Sequence, residues 1–199
     1  LYTLPLIAGV IAVAVIRRNP KRAYRFNLAM LGLSTLYLGW SFAAKFHVQG
    51  IARDELVRQG IEHRQIVSLA SPFNTILWRF VVMTPQGYAE GWYSLLDSDR
   101  QVESTFHSSD PELLAGLESH WPVTRLQWFT KGFYRVGREG QDVVITDLRM
   151  GVEDYYAFRF KVGRVGNPHS KPMPSEQLQS TLEDGAFREL WQRLKGRGS

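Results

Sequence analysis

The side chains able to do chemistry are scattered along this chain, and few of them form a pattern. The five histidines, His47, His63, His107, His120 and His169, make no HxH, HExxH or HxxxD arrangement with a neighbour, so their spacing builds no metal site. Asp97-Ser98-Asp99 offers two carboxylates to a hard cation but lacks the glycine and distal glutamate of a calcium loop, and it reads as a solvated turn. Cysteine is absent, which excludes a thiolate metal site, a cysteine nucleophile and a disulfide framework. No nucleophile elbow, phosphate-binding P-loop or GxGxxG occurs, and Gly137-Arg138-Glu139-Gly140 reads as the tip of a hairpin.

The informative groups are cations. Arg79, Lys131, Arg149 and Arg159 lie in apolar or aromatic stretches, where a charge needs a partner to offset its desolvation. Glu90, Asp97, Asp147 and Glu153 are the expected partners. Two readings stay open: a structural ion-pair network, or an anion-recognition surface for a lipid headgroup or a phosphate. The aromatic residues read mainly as core, with Trp121-Pro122 and Trp128-Phe129 as candidates for docking on a bilayer.

Elements must hold these groups in place, and the charge distribution divides the 199 residues into two parts. Residues 1–46 carry Arg17, Arg18, Lys21, Arg22, Arg25 and Lys45 and no acidic residue. The overall +5, from 24 basic and 19 acidic side chains, therefore becomes −1 for residues 47–199. A neutral remainder gives no reason to expect nucleic acid as a partner.

Two uncharged runs, at about 1–16 and 26–44, are expected to be membrane spans, the second being nineteen residues long. Gly32, Ser34, Gly39 and Ala43 in the second run would let a further helix pack closely, so upstream membrane helices of the same chain are expected partners beside the lipid bilayer. Five Lys and Arg fall in the nine residues between the spans, which places that hairpin in the cytoplasm and the following domain outside it. The chain starts with Leu inside an apolar run and reads as the C-terminal piece of a longer protein.

Residues 47–199 are expected to form one soluble α+β domain, an antiparallel sheet of about five strands with helices packed against it. Val48, Ile51, Ala52, Leu56 and Val57 have helical spacing and continue the second span. TILWRFVVM and YAEGWYSLL form a hairpin around Pro85-Gln86-Gly87, and FYRVGREGQDVVITDLRMG forms a second one. YYAFRFKVG supplies the fifth strand. Ser109 caps a short helix over its Pro111-Glu112 turn, and Pro122 opens another that Gly132 ends. GNPHSKPMP reads as a linker before an amphipathic C-terminal helix at about 183–195, with Phe187, Leu190, Trp191 and Leu194 on one face.

At SPFNTILWRFVVMTPQGYAEGWYSLLD (Ser71–Asp97), WFTKGFYRV (Trp128–Val136) and ITDLRMG (Ile145–Gly151) the sequence resembles the bacterial membrane-bound metal-dependent hydrolase family, the LexA-regulated inner-membrane hydrolases. The most specific part of the likeness is the cluster Pro72, Phe73, Asn74, Trp78 and Arg79. The resemblance implies a protein of the bacterial inner membrane whose multi-spanning N-terminal region holds a divalent metal on His and Asp motifs, with an α+β domain after the last span. None of those motif positions lies in this chain, so it carries no metal ligand and no cofactor-binding residue, and by itself it is expected to be inactive.

The leading expectation is the C-terminal part of a metal-dependent hydrolase acting on a lipid or phosphoester, the metal activating water. The alternative is a non-catalytic, membrane-tethered binding or assembly module. Candidate site residues are Asn74, Trp78, Arg79, Lys131 and Arg149. Asn74 has two readings: a cap on the backbone between proline and strand, or a member, with Trp78 and Arg79, of an active site completed by the upstream part.

Overall fold

The computed structural model describes residues 20–72, 74–99, 102–151 and 155–179. The expected first span, the C-terminal helix at 183–195, Phe73 and Glu153 lie outside the described residues.

Helix α1, Pro20–Gln59, is one continuous helix of 40 residues. It takes in the second apolar run together with Lys21, Arg22 and Arg25 before it and Lys45 after it. The chain divides into two compact units, residues 1–43 and 44–199, and α1 contributes to both. In the first unit, Thr35 and Ser41 return their hydroxyls to the carbonyls of Leu31 and Tyr37 at 2.9 and 2.8 Å, the local solution for a hydroxyl inside a helix. Leu28, Leu31, Leu36 and Phe42 are exposed there.

The expected architecture of two N-terminal transmembrane helices followed by one sheet of about five strands is corrected at its second span and at its sheet. Among the described residues no helix is long and apolar enough to cross a membrane. The physical reason is composition, since Asn27, Ser34, Thr35 and Ser41 dilute a run that Arg25 and Lys45 already bound. The described strands number eight and form two antiparallel four-stranded sheets, each a simple meander.

The first sheet runs β1 (Gln65–Ala70), β2 (Leu77–Thr84), β3 (Gly87–Ser94) and β4 (Glu103–Ser108) in sequence order. The expected hairpin at Pro85-Gln86 is its centre, with Thr84 opposite Gly87. Strand alternation sends Trp78 and Phe80 to one face of β2 and Arg79 and Val81 to the other. The first face packs on α1: Trp78, Phe80 and Tyr93 form one cluster with Ala44, Val48, Ile51 and Ala52. The helical spacing over 48–56 is therefore the core-facing stripe of α1, while Val57 at 78% exposure lies off it. On the second face Val81 and Tyr88 meet Leu148 and Tyr156.

The second sheet is β5 (Tyr134–Glu139), β6 (Asp142–Asp147), β7 (Arg159–Arg164) and β8 (Lys171–Leu178). Between the sheets lie a 3-10 turn at Pro111–Leu114 and helix α2, Trp121–Thr130. Ser109 does not cap that turn; it closes onto β5, its hydroxyl accepting from the Val136 amide at 3.0 Å. Helix α2 ends with Lys131 and Gly132 at φ of 53° and 88°, satisfying the expected stop. Val136, Val143, Ile145 and Val162 cover one face of the second sheet and pack with Leu114, Leu117 and Val123. The intervening turn and helix fill that face, so β4 and β5 head separate sheets instead of extending one.

Candidate functional site

The other face of the second sheet is polar. Register pairs Arg135 with Thr146 and Thr146 with Arg159, which sets the three side chains in one row across β5, β6 and β7. The same face of β5 carries Gly137 and Glu139, since side chains two apart share a face. Glycine at 137 and the short Val144 opposite it keep the middle of this face open. Against it stand Tyr88, His107 and Tyr156, and together these groups line a cleft of about 340 Å³.

The wall of the cleft is anchored by a buried network. Arg79 meets Glu90 through two hydrogen bonds, Nε to Oε1 at 2.5 Å and Nη2 to Oε2 at 2.7 Å. Its remaining Nη1 donates to the Leu148 carbonyl at 2.7 Å. Arg79 and Glu90 are 2% and 4% exposed, so this pair is taken wholly out of water and needs every one of those bonds. Burial pulls the Arg79 guanidinium toward losing its proton, but the hydrogen bonds and charge of Glu90 outweigh that and hold it above its ordinary range.

Two tyrosines extend the network to the cleft. Tyr156 donates to Glu90 Oε2 at 2.6 Å, and the Tyr88 and Tyr156 hydroxyls are 3.1 Å apart. A carboxylate only accepts, so the Tyr156 proton is committed to Glu90 and Tyr88 is the donor to Tyr156. Burial, reinforced by the Glu90 charge, pushes the Tyr156 phenol well above its ordinary pKa. Burial likewise raises Tyr88, although its bond to Tyr156 and the nearby Arg135 and Arg79 charges work the other way. Tyr88 pairs with His107 across β3 and β4, and their rings stack at 4.8 Å and 24°.

The cleft cations differ in their partners. Arg159 forms an ion pair with Glu139. Arg138 turns back onto its own hairpin, Nε donating to the Gly140 carbonyl at 2.6 Å. For Arg135 no carboxylate among the described residues lies within ion-pair distance. The cleft thus presents one uncommitted guanidinium, a second held by an exposed carboxylate, and the Thr146 hydroxyl between them.

The residues singled out from the sequence do not converge. Asn74 caps the entry to β2: its Oδ1 accepts from the Ile76 and Leu77 amides at 3.0 and 2.8 Å, and its Nδ2 donates to the Pro72 carbonyl at 3.2 Å. Trp78 is buried in the α1-facing core and donates to the Thr75 carbonyl at 3.0 Å, on the face of β2 opposite Arg79. Arg149 pairs with Asp147 at 2.8 Å and lies over the Phe129 ring at 5.1 Å. Lys131 is exposed at the end of α2. Arg79 alone reaches the cleft, and it does so through Glu90 and Tyr156.

Of the four carboxylates expected as partners, Glu90 pairs with Arg79 and Asp147 with Arg149. Arg159 takes Glu139 instead of any of the four carboxylates expected. Sequence reasoning missed Arg135, Glu139 and Thr146. The available signal was the alternation of Arg135, Gly137 and Glu139 along a strand, which puts all three on one face.

Among the described residues no group of three or more His, Asp or Glu could hold a metal ion. Comparison with family models, with curated proteins and with solved structures finds no match.

Proposed function

We propose that this chain is a binding module for an anionic, phosphate-bearing ligand, taken up in the cleft between the two sheets. The observation that carries this reading is the row Arg135–Thr146–Arg159, two guanidiniums flanking a hydroxyl on one strand-to-strand line. Guanidinium donors in a fixed fork suit phosphate oxygens, and a hydroxyl between them adds a third donor. Among the described residues Arg135 has no carboxylate to compete with a ligand, and the Arg159–Glu139 pair can open at low cost because the Glu139 side chain is 48% exposed.

The rigidity of the wall supports the same reading. Arg79 and Glu90 are bonded to each other, to the Leu148 carbonyl and to Tyr156, so Tyr88 and Tyr156 are fixed before any ligand arrives. Preorganised polar groups lose less on binding than mobile ones. The hydrolase expectation rests on the resemblance; the cleft supports binding.

Calorimetric titration with inorganic phosphate and with pyrophosphate tests the proposal. Saturable binding is expected, weakened about tenfold to a hundredfold in Arg135→Ala, the range for losing a hydrogen bond to a charged group. Absence of saturable binding by the folded protein, or an Arg135→Ala protein that binds as well as the parent, overturns it.

A further inference from the structure

Donors and acceptors both line the cleft, and the combination specifies more than an anion. The row Arg135, Thr146 and Arg159 offers donors. The direction of the hydrogen-bond chain decides what Tyr88 can offer. Glu90 accepts the Tyr156 hydrogen bond, so Tyr156 accepts that of Tyr88, and the Tyr88 oxygen is left with lone pairs only. Glu139 adds a carboxylate at the same cleft, and a carboxylate is acceptor-only.

A bare phosphate dianion satisfies the donors and gives nothing to the acceptors; beside Glu139 it would meet like charge. A ligand that matches both carries an anionic phosphate and, next to it, hydroxyl groups that donate. The volume agrees, since about 340 Å³ lies at the lower end of the range for small-molecule pockets, roughly 300–1,000 Å³, and exceeds what a single phosphate fills. Resting on the anion-binding reading above, we infer that the cleft recognises a phosphorylated polyol, its phosphate on Arg135 and Arg159 and its hydroxyls on Glu139 and the Tyr88 oxygen. Such a group occurs both as a free metabolite and as a lipid headgroup, and the chemistry of recognition is the same for either.

The test compares three soluble probes by calorimetry: inorganic phosphate, sn-glycerol 3-phosphate and myo-inositol 1-phosphate. In parallel, the protein is sedimented with phosphatidylcholine vesicles with and without phosphatidylinositol 4-phosphate. A polyol phosphate is expected to bind at least tenfold more tightly than inorganic phosphate, or to retain the protein on the phosphoinositide vesicles alone. Soluble binding assigns a free ligand; retention on vesicles without soluble binding assigns a headgroup. Glu139→Gln, at an exposed side chain, and the near-isosteric Tyr88→Phe should each bring the ratio of polyol phosphate to inorganic phosphate affinity toward one, whereas Arg135→Ala should weaken all probes together. Equal affinity for inorganic and polyol phosphates, without selective vesicle retention, overturns this inference and leaves the anion site standing. A preference that survives in both Glu139→Gln and Tyr88→Phe also overturns it. Failure of every probe to bind overturns both readings.

Discussion

The Tyr156 hydroxyl donates to Glu90 at 2.6 Å, a bond that ties the segment entering β7 to the middle of β3. Because the same carboxylate holds Arg79, and Arg79 reaches on to the Leu148 carbonyl, one buried anion fastens the two sheets along their shared side. The polar face of the second sheet is thereby held open against Tyr88 and His107 instead of closing on an apolar core. The wall of the cleft and its stability are the same set of bonds.

Removing one partner of that buried pair should be costly. Arg79→Met strips the buried Glu90 of its main partner, and a loss of about 3–5 kcal/mol is expected. The double variant Arg79→Met with Glu90→Leu removes both charges and should recover a substantial part of the loss, because no buried charge is then stranded. Urea unfolding midpoints of the parent, both single variants and the double variant give the coupling. Strict additivity of the two losses would contradict the interaction described here.

Tyr156 makes stability depend on alkaline pH. Its folded pKa is raised above the ordinary 10.0, chiefly by burial and then by the Glu90 charge. The neutral phenol is therefore favoured by folding, and that contribution is complete below pH 10 and is lost as the pH climbs from 10 toward the raised value. Tyr156→Phe should cost about 1–3 kcal/mol at pH 7 through the hydrogen bond to Glu90. Above pH 10 the gap between parent and variant should narrow by about 1.4 kcal/mol per pH unit. Urea midpoints between pH 7 and 11 measure this, and a constant gap would contradict it.

Local signals carried much of this structure. The Pro85-Gln86-Gly87 turn between β-branched runs and the Gly-rich tip before Asp142 mark both hairpins, and Pro122 with Gly132 brackets α2. Two of the three strands that escaped detection, β4 and β8, lack such signals. β4 reads ESTFHS, with no alternation, and β8 contains Pro172 and Pro174, which belong to an edge strand that needs few of its amides. Nothing local says that β4 and β5 part company, since that follows from which face α2 covers. The site was obscured for the same reason. Arg79–Glu90 is a diagonal pair on one hairpin and could be anticipated, whereas Arg135, Thr146 and Arg159 come together only when three strands are in register.

Asn74 should matter to folding and leave the cleft alone. Its side chain satisfies two backbone amides, those of Ile76 and Leu77, at the start of a strand buried on both faces. Asn74→Ala should lower stability by about 1 kcal/mol, with Asn74→Asp recovering most of it because the accepting oxygen is kept. Thermal unfolding reads the loss, and titration with inorganic phosphate should show unchanged affinity for the folded variant. A variant that folds as stably as the parent but fails to bind would return Asn74 to the list of site residues.

The sharpest backbone dependence falls on Gly151. Its φ of +120° is a conformation that side-chain-bearing residues rarely adopt, and a Cβ there would stand 2.5 Å from the Tyr155 carbonyl and 2.6 Å from the Tyr156 Cα. Neither atom is the tip of a flexible side chain, so the backbone carrying Tyr156 has to move. That movement pulls its hydroxyl from Glu90 and from Tyr88, both of which tolerate little displacement at 2.6 and 3.1 Å. Gly151→Ala should therefore cost well over about 1 kcal/mol in urea unfolding, more than the conformational strain of the substitution alone. The excess should disappear in a Tyr156→Phe background, where the bond to Glu90 is already lost, and should remain if the effect of Gly151 is confined to its own turn. Anion affinity supplies the second readout, because displacement of Tyr156 loosens the wall against which the Arg135–Thr146–Arg159 row is set.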